Sequence, residues 1–134
     1  MREILFKAKR ISDGEWMEGY YVEQYGSTQI YLLDDDSREY EFDCVHIDKN
    51  TLCQYTGLTD KNGNRIWEGD ICSTDIKRPF AFVVFRNGCF MYQLNDGEEK
   101  DYFDIMTPIN PLVDCDKYTE VIGNIFDNPE LVKE

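Results

Sequence analysis

Long apolar runs are missing from this chain, and close cysteine pairs, histidines and positive charge are scarce. The longest wholly apolar run is Phe80 to Phe85, six residues against the ~20 a bilayer-spanning helix needs. MREILFKAKR opens with charges where a signal peptide carries an apolar stretch, so no export is expected. Cys44, Cys53, Cys72, Cys89 and Cys115 make an odd count, and no two stand at C-x-x-C spacing. Disulfide frameworks and zinc ribbons both want close pairs. A cytoplasmic protein with reduced thiols follows, Cys72 and Cys89 acting as small hydrophobes in their strands. The single histidine, His46, has no serine or cysteine beside it in a nucleophile motif. No phosphate-binding loop or dinucleotide fingerprint is present. Neither catalysis nor a cofactor is expected.

Fourteen basic side chains face 27 acidic ones, a net charge of −13. The imbalance is uneven. Asp13 through Asp48 hold eleven carboxylates against Arg38 alone. Asp96 through Glu134 hold eleven against Lys100, Lys117 and Lys133, while Lys49 to Cys89 is slightly basic. Such a surface repels phosphate backbones and anionic membranes, so neither is an expected partner. It either keeps the chain soluble, or attracts basic proteins and imitates nucleic acid.

What the chain does have is the grammar of short strands. Ile4 to Lys9, Trp16 to Val22, Gln29 to Leu33 and Glu39 to Val45 are rich in Tyr, Val, Ile and Phe. Ser12-Asp13-Gly14, Gly26-Ser27 and Asp34-Asp35-Asp36-Ser37 separate them, which predicts a meander of hairpins. Ile71 to Ile76, Phe80 to Arg86 and Cys89 to Leu94 follow, the last pair joined by the hairpin signal Asn87-Gly88. The runs FAFVVF and CFMYQL predict at least one strand buried on both faces. Lys77, Arg78, Pro79 and Arg86 guard that strand's ends against edge pairing. Pro108 and Pro111 mark a loop, Glu120 to Phe126 a closing strand, and Asn128-Pro129-Glu130 a short helical turn capped by Asn128.

The densest signals lie between Gln54 and Ile71, QYTGLTDKNGNRIWEGDI. Asp60-Lys61-Asn62-Gly63 predicts a type I turn followed by a bulge with Gly63 at positive φ. Gly69-Asp70 then interrupts a second apolar stretch, as a bulge or a close backbone approach does. QYTGL, DKNG with Ile66 beyond it, and EGDI resemble the central signature of the YopX-like family of phage and prophage proteins. REILFKAKR with GEWMEGYY resembles that family's opening, and EVIGNIFDNPEL its closing motif. The resemblance spans nearly the whole chain. It implies a mostly β protein whose C-terminal half is similar to a small SH3-like barrel, and implies little about activity.

Several clusters invite chemistry. Cys44, His46 and Asp48 alternate along a strand and would share a face able to hold zinc, with Asp43 on the other. Structural zinc wants four ligands, and a half-buried strand with Val45 and Ile47 looks the same. Asp60, Asn62, Asn64 and Glu68 imitate a calcium loop, but Arg65 takes the glycine position and Ile71 that of the bidentate Glu. Asp34-Asp35-Asp36 could meet a hard cation and equally makes a solvated loop tip. Glu68 and Asp70 could act as paired carboxylates, or bond a neighbouring turn. No metal or catalytic residue is assigned from these patterns.

Nineteen aromatics make 14% of the chain, and Tyr20, Tyr21, Tyr25, Tyr31 and Tyr40 crowd the acidic first half. Tyrosine suits interfaces, though it also fills strands. Taken together, the expectation is a mainly β accessory protein. Residues 1–50 form a β-hairpin region and residues 51–134 a small barrel closed by residues 120–126 pairing near 71–76. It would act without catalysis through a protein partner or self-association. The alternatives are a DNA-mimicking inhibitor of a nucleic-acid-binding protein and an enzyme or metal site around His46, Glu68 and Asp70.

Overall fold

Short strands separated by tight turns make up this chain, because β-branched and aromatic residues alternate with polar ones between glycine-bearing corners. The computed structural model describes residues 3–32, 44–73, 81–86, 88–94, 102–104 and 119–131. Its strands are β1 (Phe6–Lys9), β2 (Trp16–Gln24), β3 (Ser27–Leu32), β4 (Cys44–His46), β5 (Cys53–Thr59), β6 (Arg65–Trp67), β7 (Asp70–Ser73), β8 (Ala81–Arg86), β9 (Cys89–Leu94), β10 (Tyr102–Asp104) and β11 (Glu120–Asn124). Two short 3-10 turns, Lys49–Thr51 and Pro129–Leu131, are the only helical elements among the described residues. No helix there is long and apolar enough to cross a membrane. One sheet runs β4-β3-β2-β1-β5-β6 and the other β10-β9-β8-β7-β11, with every described pairing antiparallel. The chain divides into two compact units, Met1–Tyr55 and Thr56–Glu134.

In the first unit the period-two rule decides which side chains are covered. Ala8, Ile30, Val45 and Ile47 form the core, with Phe6, Met17, Leu32 and Leu52 packed on it. The alternate residues Tyr20, Tyr31 and His46 face out. β4 does not simply end the sheet. Ile47 donates its N–H to Thr28 O at 3.1 Å, while Ile11 N–H reaches His46 O at 3.1 Å and Asp48 N–H reaches Lys9 O at 2.9 Å. The chain after β4 thus returns to β1 through the single bridge Arg10↔Ile47, curling the sheet around its core. Gly19 makes this path possible. A Cβ there would lie 1.8 Å from Tyr31 O, so β2 and β3 approach where only glycine fits.

The second unit holds a separate core of Leu58, Ile66, Cys72 and Val83, flanked by Phe90, Tyr92 and Val121. β11 pairs with β7, Glu120 opposite Ser73 and Asn124 opposite Asp70, with an irregularity between Val121 and Gly123. That is the closing pairing expected for residues 120–126. The closed barrel expected within residues 51–134 is corrected. β10 occupies the outer side of β9 and β11 the outer side of β7, so among the described residues the sheet is open at both edges.

β8 and β9 pair from Ala81↔Leu94 to Arg86↔Cys89. Gly88 is at φ +84°, as a hairpin turn demands, and Asn87 lies outside the described residues. Among the described residues neither strand is fully buried on both faces: Ala81 and Val83 are buried, Phe82 and Val84 are half-buried, and Phe85 is exposed. Lys77, Arg78, Pro79 and the loop at Pro108 and Pro111 lie outside the described residues, as do Asp34 to Asp36 and Asp43.

Candidate functional site

The family-like motifs resolve into bonds that hold backbone. Asp60 is buried, and its carboxylate accepts the N–H groups of Asn62 at 2.9 Å, Asn64 at 2.8 Å and Val121 at 3.0 Å. Burial pushes this carboxyl up, and those N–H groups together with the Asn64 amide outweigh it, leaving its pKa below the usual value. Gly63 stands at φ +82° and donates to Asp60 O at 3.0 Å, which is the expected bulged turn and not a calcium loop. Gly69, at φ +87°, donates to Val83 O at 2.8 Å and accepts from Ile125 N–H at 2.9 Å. Buried Asp70 accepts Trp67 N–H at 2.8 Å and so closes the turn around Gly69. In the closing motif, Asn124 Oδ1 accepts from Phe126 N–H at 3.0 Å and Asp127 N–H at 2.9 Å. Asn128 stands at the cap position expected for it, directly before the 3-10 turn Pro129–Leu131, and its carbonyl accepts Leu131 N–H at 3.0 Å, while its Oδ1 reaches back to accept Asn124 N–H at 3.2 Å.

The alternation continues past the end of β4, with Val45 and Ile47 buried and Cys44, His46 and Asp48 on the less covered side, but their side chains serve separate partners. Asp48 accepts Asn50 N–H at 3.0 Å as cap of the 3-10 turn. Cys44 sits 2.6 Å from Gln29 Oε1, and burial raises its thiol pKa. His46 Nδ1 lies 2.6 Å from Ser27 Oγ. Among the described residues no three His, Cys, Asp or Glu side chains converge to hold a metal ion. His46 belongs to the first unit, Glu68 and Asp70 to the second. Cys44, Cys53, Cys72 and Cys89 form no disulfide in the structure.

Two features of the first unit stand apart from this bonding. The first is the β2–β3 hairpin. Gln24 pairs with Ser27, so its loop is Tyr25-Gly26 alone. Tyr25 is at φ +54° and Gly26 at φ +74°, which defines a two-residue type I′ turn. That turn favours Asn-Gly, and a bulky residue at its first position is strained. Tyr25 holds this position with its side chain 96% exposed. Tyr20 and Tyr31 lie directly opposite each other behind it, 55% and 40% exposed.

The second feature is a groove of about 630 Å³ beside that turn. Gly14 marks one flank and Gly26, Ser27 and Thr28 the other, with Ile47 to Lys49 completing the lining together with Lys9, Arg10 and Ile11. Arg10 is paired with Asp13, and that guanidinium bond, helped by Glu15 N–H, lowers the Asp13 pKa to about 2. Lys7 and Lys9 place their ammonium groups over the Trp16 ring, 4.6 and 5.4 Å from its centre. Linear spacing gave no sign that Lys9, Arg10 and Lys49 gather here, nor that Ser27 meets His46. Only the Gly26-Ser27 turn signal was visible.

Two units of antiparallel sheet, with motif residues spent on turns, define a small all-β scaffold. The family model described as YopX protein matches residues 5–133, and the chain belongs to that family. A search of curated proteins found no match. The chain is similar in fold to protein EF1440 from Enterococcus faecalis, whose crystal structure it matches over 99% of this chain and 100% of that one. Identity between the two is 23% and the TM-score 0.53.

Proposed function

We propose that this YopX family member is a phage or prophage accessory protein that acts without catalysis, as a protein-interaction module. The observation that supports it is Tyr25. A bulky side chain in the left-handed region works against folding, and a 96% exposed ring recovers nothing by burial. Retaining it at a hairpin tip is understandable if the ring is an anchor for another surface. Tyr20 and Tyr31, cross-strand neighbours on the same hairpin, are exposed as well. The partner is a protein or a second copy of this chain, and the net charge of −13 favours a basic surface. Nucleic acid and membranes are not among its partners, and the protein works in the cytoplasm.

The test compares tagged wild type with Tyr25→Asn in capture from host-cell lysate, at low and at high salt. The wild type retains a discrete protein band that fades as salt rises, and Tyr25→Asn loses it. Equal capture by both would overturn the proposal.

A further inference from the structure

Asn62-Gly63 is a reactive dipeptide as well as part of a turn. Glycine has no side chain to hinder its backbone nitrogen, which can attack the Cγ of a preceding asparagine. The nitrogen gives its proton to solvent base, a C–N bond forms, the Cγ–Nδ2 bond breaks and ammonia leaves. Water then opens the resulting succinimide at one carbonyl or the other, giving aspartate or isoaspartate. Nothing is oxidised or reduced.

The fold exposes this pair and also restrains it. Asn62, Gly63 and Asn64 are exposed, and a Cβ at Gly63 would meet nothing within 4 Å, so water reaches the site. Attack requires the backbone between Asn62 and Gly63 to rotate and the Gly63 nitrogen to lose its proton. Asp60 opposes both. Its carboxylate holds Asn62 N–H at 2.9 Å and Asn64 N–H at 2.8 Å, while its carbonyl holds Gly63 N–H at 3.0 Å. Glu120 Oε2 accepts the Asn62 side-chain amide at 3.3 Å, which keeps the leaving nitrogen engaged with β11.

We propose that Asn62 is a deamidation site that Asp60 keeps closed while the turn is intact. The aspartate product sets a carboxylate where Glu120 now accepts an amide, so attraction becomes repulsion. The isoaspartate product adds a backbone carbon to the turn and displaces Gly63 N–H from Asp60. Either product makes a transient opening of the turn into a permanent loosening of the closing strand. The Tyr25 surface plays no part, so this site stands or falls separately from the protein-contact proposal.

The full chain is incubated at mildly alkaline pH, folded and in urea, and the chymotryptic peptide Thr59–Trp67 is followed by mass spectrometry. Its fragments separate Asn62 from Asn64. Asn62 deamidates in urea and reacts about tenfold or more slowly in the folded protein, since only the locally opened fraction is competent. Asn64 is followed by Arg65, whose side chain hinders the same attack, and it stays largely intact in both. Asp60→Ala, its fold checked by circular dichroism, speeds the native reaction severalfold. Asp60→Asn keeps an oxygen for the same N–H groups, retains the fold and speeds the reaction less. The fraction deamidated at Asn62, isolated by ion exchange, melts at a lower temperature than the starting protein. Equal rates in urea and in the folded state, reaction of Asn64 as fast as Asn62, or no reaction of Asn62 in urea would overturn the proposal. So would a native rate that neither Asp60 variant changes, or an unchanged melting temperature in the deamidated fraction.

Discussion

The carboxylate of Asp60 accepts the backbone N–H of Val121 at 3.0 Å, joining the central turn to the last strand of the chain. Glu120 accepts from the Asn62 side chain at 3.3 Å beside it, and Lys61 N–H reaches Thr119 O at 2.9 Å. Three bonds therefore connect DKNG to the start of the closing motif. One buried carboxylate organises them.

This bonding makes stability depend on pH with a definite sign. The folded pKa of Asp60 is lowered, so its contribution is fully present above the unfolded value of about 3.9 and is lost as pH falls through the folded one. Thermal unfolding between pH 7 and pH 2 should show a drop in that acid range. Asp60→Ala, which strands buried N–H groups, should lose about 3 kcal/mol at pH 7 and flatten the acid drop. An unaltered acid profile in the variant would remove Asp60 from this role.

Two glycines test the backbone path. Gly63→Val should destabilise by roughly 1–2 kcal/mol, since a Cβ there meets nothing and only the positive φ resists it. Asn62→Ala should lose less. Gly19→Ala should lose about 2–3 kcal/mol for a different reason, the collision of its Cβ with Tyr31 O. Denaturant unfolding separates the cases, and a neutral Gly19→Ala would mean that β2 and β3 do not approach so closely.

Tyr25→Asn should raise stability by about 0.5–1 kcal/mol, because asparagine accepts the left-handed conformation of a type I′ turn. The same change should remove partner capture. A gain in melting temperature with loss of binding is the signature of a residue kept for contact and not for folding.

The two hairpins at Asp60-Gly63 and Asn87-Gly88 were legible because turn chemistry is local, written in two to four adjacent residues. The pairing of Glu120 to Asn124 with β7 was legible too, through an apolar strand that had to be covered. Ile47 crossing from Thr28 to Arg10 was not, since nothing near Ile47 encodes a bridge to the first strand. The alternation of Cys44, His46 and Asp48 with buried Val45 and Ile47 was legible, whereas their separate partners, Gln29, Ser27 and the 3-10 turn, were not, since those contacts come from other strands or from the turn that follows. Tyr25 was visible as one tyrosine among several. Its positive φ was not.

Charge should govern the protein's encounters. Association with a protein partner should slow as salt rises and slow again when Asp34, Asp35 and Asp36 are reversed, since screening at physiological salt sets in beyond ~8 Å. The protein alone should show no appreciable affinity for a DNA duplex at physiological salt. Tight, salt-sensitive DNA binding in a gel-shift assay would contradict that.

The most direct measurement is site-specific photo-crosslinking in host cells, with benzoylphenylalanine at Tyr25 and, as control, at the exposed Lys61 of the second unit. A hairpin-tip anchor predicts one discrete protein adduct from position 25, whether a partner or a second copy of the chain, and none from position 61. No adduct at 25, the same adducts from both positions, or an adduct with nucleic acid would contradict it.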